Sequence, residues 1–556
     1  MANNTSKKRR YNKRKRYKAN KRQREQRRLE QLHRTVLENI PDDITLLFPQ
    51  ARDIHRKFVL HVGDTNSGKT YDSIEACIGA ASGIYLAPLR LLALEMQEKM
   101  LDRGVKCSMI TGEEENLIEG ATHMACTVEM LDTTKPYDIA VIDEAQMIED
   151  EFRGWAWTKA ILGVNAPIVH ICMSENALGI VTRLIKSCHD EFVVERHVRD
   201  TPLVVERKTF DFPDNVKDND ALIVFSRNNV LYVASELKKV GIDASVIYGA
   251  LPYDVRKNEL EKFATGKTKV VVSTDAIGMG MNLPVKRIVF LEDEKFDGKT
   301  RRPLNGPEVK QIAGRAGRRG IFNKGYMNAL VGKRALAKAL REEYVPIKKA
   351  RIQMPERLLD LDMSLIETLS TWQNVTNEEL FEKTDIDVIM KKCIKMEKLN
   401  KLSDKKSLTK KEMWQFALIP FDEGNASLFA LWEHLVSLYL DETDIFIDFD
   451  FQFSYGNKLQ DLETDYKKLD LYFSFARQIG LRGEVREIIA KEKQEVALKI
   501  IEKLYDVSDQ KKKCKRCGKE LSWNYKFGLC NRCNQERKLY GREYYRTPRR
   551  KNPRKQ

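Results

Sequence analysis

Gly63-Asp64-Thr65-Asn66-Ser67-Gly68-Lys69-Thr70 is the stretch of this chain with the plainest chemistry. Two glycines let backbone N–H groups turn inward around a phosphate, and a lysine and a hydroxyl directly follow the second. Lys69 is placed to reach the β- and γ-phosphates of ATP, and Thr70 to ligate Mg²⁺. A phosphate loop alone makes only a nucleotide binder; hydrolysis also needs a second cation ligand and a group that orders the attacking water. The run Ile139-Ala-Val-Ile-Asp143-Glu144-Ala-Gln146 offers both, Asp143 for Mg²⁺ and Glu144 for the water. In isolation the same acidic pair also reads as caps at a strand end. A third element, Gln311-Ile-Ala-Gly314-Arg315-Ala-Gly317-Arg318-Arg319, sets arginines on a glycine-broken loop. They read either as a surface patch for RNA or as fingers that neutralise charge developing on the γ-phosphate, an effect worth roughly 10³–10⁵ in turnover.

These groups need rigid elements to hold them. Short β-branched runs (FVLHV, GIYLAP, HMACT, IAVID, IVHIC, then ALIVF, ASVIY, KVVVS, RIVFL) alternate with segments of helical period from Phe58 to about Ala329. That alternation predicts α/β architecture, parallel sheets covered by helices, in two tandem domains: 58–210 carrying the phosphate loop and 211–333 carrying the arginines. The charged stretch DFPDNVKDND divides them. From about Arg334 long Leu/Ile/Lys/Glu segments predict a mostly helical domain over 334–510, broken by a Lys-rich stretch near Lys401. Within it DIFIDFDFQF, from Asp444 to Phe453, alternates like a strand.

Charge is uneven. The chain of 556 residues carries a net +16, but 1–28 contribute about +13 and 511–556 about +14, so the intervening body is acidic. We expect 1–28 and 541–556 to be disordered basic tails around a helical lead-in at 29–57. Such tails bind nucleic-acid phosphates through counterion release, although a Lys/Arg block can also be a plain solvated tail. No run reaches the roughly 18 apolar residues of a membrane span. The start lacks a secretory h-region, and the expectation is a cytoplasmic protein with no membrane partner. Six of the ten cysteines are scattered. The other four, Cys514-x2-Cys517-x12-Cys530-x2-Cys533, have the spacing of a structural Zn²⁺ site in a small zinc-ribbon-like module over 511–540, with no open position for a catalytic water. Trp523, Tyr525 and Phe527 are either its small core or stacking platforms. His55, His61, His123 and His170 show no ligand spacing and are expected to be structural or surface residues.

The order GDTNSGKT, APLRLLA, TVEM, DEAQ, VFSR, YGALP, STDAIGMGMNLP, QIAGRAGRRG resembles superfamily 2 DExH-type RNA helicases, most closely the mitochondrial degradosome RNA helicase and its bacterial and phage relatives. The resemblance covers Phe58 to roughly Leu330, about half the chain. It implies two RecA-like domains that clamp one strand in a motor cleft. It further implies that Pro88, Arg90, Thr127, Ser226 and Thr274 lie along the strand's backbone. Asp275, Gly278 and Gly280 would couple strand to nucleotide, and Gln311, Arg315 and Arg318 would complete the ATP site. Relatives carry a Cys-Gly-acidic-Pro step where this chain has Cys172-Met173-Ser174-Glu175-Asn176, which leaves the coupling role of Ser174 and Glu175 open. The expected function is an ATP-dependent RNA helicase, monomeric, moving 3′-to-5′ on RNA or RNA–DNA duplexes. The alternatives are a ribonucleoprotein remodeller that does not separate strands, a DNA helicase, and an RNA-binding scaffold with a relic ATP site. An exoribonuclease or ribosomal partner is not identifiable from sequence.

Overall fold

The computed structural model describes residues 2–540 except 279–282, 299, 319, 376–378, 448, 450–452, 454–455, 457, 482, 505–511 and 526. Gly280 and the 541–556 tail therefore lie outside the described residues. The described residues form two compact units, one drawn from those within 1–199, 343–455 and 464–493, the other from those within 200–342, 456–463 and 494–540.

The first unit is built on an eight-stranded sheet: β1 (Lys57–Gly63), β2 (Gly83–Ala87), β3 (Cys107–Ile110), β4 (Glu115–Asn116), β5 (His123–Thr127), β6 (Ile139–Ile142), β7 (Ile168–Met173) and β8 (Glu191–His197). Their spatial order is β4-β3-β5-β2-β6-β7-β1-β8, and every pairing is parallel except β3 with β4. Central strands are apolar on both faces because helices cover both, so β2 and β6 are buried along their whole length. Trp157, fully buried on the helix Gly154–Gly163, packs under one face and donates its indole N–H to the carbonyl of Asp143 at 2.9 Å.

The second unit carries a fully parallel sheet of β9 (Leu203–Val205), β10 (Asp220–Ile223), β11 (Ala244–Ile247), β12 (Val270–Ser273), β13 (Arg287–Phe290) and, beyond an antiparallel pair β14 (Glu294–Phe296) and β15 (Arg301–Pro303), β16 (Gly325–Ala329). The order is β11-β12-β10-β13-β16-β9. The expected domain boundary at 210/211 is thus too late. β8 ends the first sheet at His197, and β9 already belongs to the second at Leu203. A three-residue edge strand has too little periodicity to be read from sequence.

Three other expectations change. Residues Ala2–Glu38 form one 37-residue helix rather than a disordered tail and a separate lead-in. Lys, Arg, Gln, Glu and Ala are good helix formers, and no Gly or Pro interrupts them before Pro41. The region after Arg334 is not a separate body. Helices Leu365–Asn374, Asp387–Asn400, Lys410–Ala417 and Ala426–Leu440 belong to the first unit. There Ile347, Ala350 and Phe381 join the first sheet's apolar core. Ala350 and Phe381 sit on a further parallel pair, β17 (Ala350–Ile352) and β18 (Phe381–Lys383), which the sequence reading lacked. Finally, the described residues of 444–453 form no strand. Phe446, Phe449 and Phe453 instead crowd Tyr472, with ring centroids 4.9–6.3 Å away, so the alternation reflects an aromatic knot in a turn.

Candidate ATP and nucleic-acid sites

The phosphate loop hangs between the end of β1 and the helix Lys69–Gly79. At Gly63 a Cβ would lie 2.4 Å from the carbonyl oxygen of His197, so no other residue fits there. Asn66 (φ 66°) and Gly68 (φ 88°) take left-handed backbone, which folds the loop back on itself. Gly68 caps the helix without any side-chain hydrogen bond, so its first N–H groups remain presented to a ligand. Lys69 is buried, its ammonium donating to the carbonyls of Gly63 (3.2 Å) and Asp64 (3.3 Å) across the loop's mouth. Tyr344 donates to the Asp64 carboxylate at 2.9 Å, a support 280 positions away that no local motif could reveal.

Asp143 stands at the end of β6 and receives the Thr70 hydroxyl at 3.4 Å, the Tyr85 hydroxyl at 2.7 Å and the Glu144 N–H at 2.9 Å. Burial, and then the charge of Glu144, pushes the Asp143 carboxyl up. A divalent cation between Thr70 and Asp143 would reverse that penalty, which is the chemistry this donor pair fits. Glu144 adopts φ 50°, turning its carboxylate off the strand. Gln146 donates to that carboxylate and, through its own Oε1, accepts the Ser174 N–H at 3.1 Å. The segment that departs from the family pattern therefore still reaches Glu144, through Gln146.

The residues expected along the strand fare unevenly. Pro88 and Thr127 are buried, and the Pro88 carbonyl accepts from Arg153, which also pairs with Glu129 at 2.6 Å. Arg90 is enclosed by carboxylates: Glu114 at 2.8 Å, Glu113 at 3.2 Å and Asp470 at 3.7 Å, the last also held by Lys493. It is not an open phosphate contact in this structure.

In the second unit Ser226 caps the helix Arg227–Lys239, accepting from the Asn229 N–H at 3.2 Å. Arg227 pairs with Glu463 at 2.7 Å. Thr274 is buried and its hydroxyl accepts the Ala276 N–H. Lys295 joins Asp275 (3.2 Å) to Glu308 (2.7 Å), tying the segment after β12 to the helix Gly306–Ala313 that leads into the arginine loop. Gln311 lies 3.3 Å from where a Cβ on Gly278 would stand, and Arg315 donates to the Gly278 carbonyl at 3.0 Å. Arg315 thus braces the loop, while burial lowers the pKa of the half-buried Arg318.

The sulfurs of Cys514, Cys517, Cys530 and Cys533 all lie within 4.8 Å of one another, Cys517 and Cys530 at 3.7 Å. Four thiolates around Zn²⁺ at about 2.3 Å need sulfur separations near 3.8 Å, so the set fits the ion. The Cys530 N–H donates to the Cys514 sulfur at 3.2 Å. Trp523 is core, packed edge-on to Phe212 with centroids 5.6 Å apart, whereas Phe527 is exposed. His61, His170 and His197, unconnected in the sequence, come together beside the phosphate loop.

Tandem RecA-like sheets, one with a phosphate loop and acidic strand end and the other with an arginine loop, define the superfamily 2 helicase class. Residues 45–197 match the model for the DEXQ-box helicase domain of Suv3, and 206–320 the helicase conserved C-terminal domain. The rice mitochondrial ATP-dependent RNA helicase SUV3 is 31% identical over 479 residues, which cover 82% of this chain and 81% of that protein. The chain belongs to the Suv3 helicase family. It is 44% identical over 277 residues to the Arabidopsis mitochondrial DExH-box ATP-dependent RNA helicase DExH18 and 42% over 283 to human mitochondrial SUPV3L1. The chain spans only 36% of the length of each of these two, matching over 49% of its own. All three relatives are named mitochondrial, which overturns the cytoplasmic expectation.

Among the described residues no helix is long and apolar enough to cross a membrane.

Proposed function

We propose that this chain is an ATP-dependent RNA helicase that moves 3′-to-5′ along one strand and separates RNA or RNA–DNA duplexes. The observation that carries the reading is the joined site at the end of β1 and β6, where Thr70 meets Asp143 and Glu144 is held by Gln146. Backbone N–H groups from Asp64 to Thr70 and the Lys69 ammonium cradle the phosphates. Thr70 and Asp143 hold Mg²⁺, which when bound neutralises charge on the β- and γ-phosphates. Glu144 orients the attacking water and accepts its proton. Arg318, with Gln311 and Arg315 positioning it, supplies the further positive charge that the transition state needs. The four cysteines hold Zn²⁺ structurally, and the basic termini grip phosphates without reading sequence.

The test is unwinding of RNA duplexes bearing a 3′ or a 5′ tail, with and without ATP, beside matching DNA tails. Strand release that requires ATP and a 3′ RNA tail is expected. ATP consumption without release would make the chain a remodeller, and equal activity on DNA tails would remove the preference for RNA.

A further inference from the structure

His61 on β1, His170 on β7, and Glu195 and His197 on β8 occupy three adjacent strands at one edge of the first sheet. Register puts His61 opposite Glu195 and Gly63 opposite His197, while His170 faces Val59. Side chains alternate faces along a strand, so all four project from the same face. His61 Nδ1 lies 2.9 Å from His197 Nε2 and 3.4 Å from a Glu195 carboxylate oxygen. All three donor atoms fall within 4.8 Å of one another. Nitrogen and oxygen ligands at about 2.0–2.1 Å around a tetrahedral ion are separated by about 3.3 Å, which the two observed distances bracket.

The far nitrogen of His61 is hydrogen-bonded, and that of His197 has a carboxylate nearby. His61 Nε2 bonds His170 Nδ1 at 2.8 Å, and His197 Nδ1 faces the Asp72 carboxylate at 3.7 Å. A hydrogen-bonding partner on the far nitrogen is what fixes the tautomer and aim of a metal-binding histidine. Burial graduates from 2% exposure at the His61 side chain through 13% at His197 to 53% at Glu195, which leaves the Glu195 side open to a water as fourth ligand.

We propose that His61, Glu195 and His197 form a second metal site, for Zn²⁺ or a similar late first-row divalent ion, independent of the four cysteines. An ion there clasps β8 to β1 where the phosphate loop begins, with His170 and Asp72 as positioning residues. The sequence hides it because its ligands are 136 positions apart and follow no compact spacing.

Equilibrium dialysis of the full chain against Zn²⁺, with bound metal counted, tests it. Two equivalents are expected. H197A and E195Q, both altered at solvent-reachable positions, should weaken the second at least tenfold and leave the cysteine equivalent bound. C514A combined with C517A should do the reverse. Co²⁺ in the second site should show ligand-field absorption without a thiolate charge-transfer band. Circular dichroism and the metal-free thermal midpoint of H197A control for folding, and H197Q repeats the measurement with a hydrogen-bonding side chain retained. A single wild-type equivalent lost with the cysteines, or two equivalents persisting in both H197A and E195Q, would overturn the proposal and leave the histidines a hydrogen-bonded strand clasp.

Discussion

Each sheet has a parallel strand that runs into a helix, β1 in the first and β10 in the second, and the two treat that helix's N-terminus in opposite ways. After β1 the chain spends a left-handed glycine at the cap and leaves the first N–H groups of Lys69–Gly79 without a side-chain partner. After β10 the corresponding turn is closed from within. Ser226 caps the helix, and the Glu292 carboxylate takes the Phe225 N–H and the Asn229 side-chain amide, each at 2.7 Å. The helix Gly306–Ala313 in the same unit is likewise sealed by a capping box between Asn305 and Glu308. A helix N-terminus attracts phosphate only while its donors are unclaimed. The repeated fold thus leaves one helix N-terminus without a side-chain cap in the first sheet and closes the corresponding one in the second.

Four substitutions press on that contrast. Arg318→Ala should lower RNA-stimulated ATP turnover by about 10³-fold or more while nucleotide affinity changes little; a loss confined to affinity would mean that the second unit binds rather than activates. Lys69→Ala should cost about 10²–10³ in turnover, and RNA-stimulated hydrolysis that survived it would refute the placing of the site on the first sheet. Glu292→Ala should destabilise the second unit by about 1–3 kcal/mol in denaturant melts, because two donors lose their acceptor. Titration of that variant and of wild type should still find one nucleotide per chain; a second equivalent in wild type would erase the distinction between the sheets. The smallest effect is on pH. Despite burial, hydrogen bonds from Arg302 and Lys295 hold Glu308 at about 2, against 4.5 in the unfolded chain. Its stabilising contribution is complete above about pH 4.5 and is lost as pH falls toward 2, so Glu308→Gln should remove roughly 2 kcal/mol of acid-dependent stability.

The contrast also marks what a sequence discloses. The phosphate loop is contiguous, and its glycines, lysine and threonine announce their geometry because the backbone alone sets it. Asp143 and Glu144 follow from a strand that ends where it must. Arg90 shows the limit: its motif points to a strand contact, yet Asp470 arrives from a helix 380 positions later and, with Glu113 and Glu114, encloses it. Arg315 likewise lies in a motif that suggests a finger, and only the fold shows it bracing Gly278. The zinc-type module was legible as a cysteine pattern, but Trp523 meeting Phe212 across 311 positions was not. Edge strands such as β9 and β17, three residues each, carry no period to read.

The helix Ala2–Glu38 gives the basic N-terminus a mechanical character that its composition conceals. At about 1.5 Å per residue it is a rod about 55 Å long. A coil of the same charge would lose conformational freedom on meeting a polyanion and could wrap around it. A rod is ordered beforehand, and the pairing of Arg28 with Glu367 ties it sideways to the helix Leu365–Asn374.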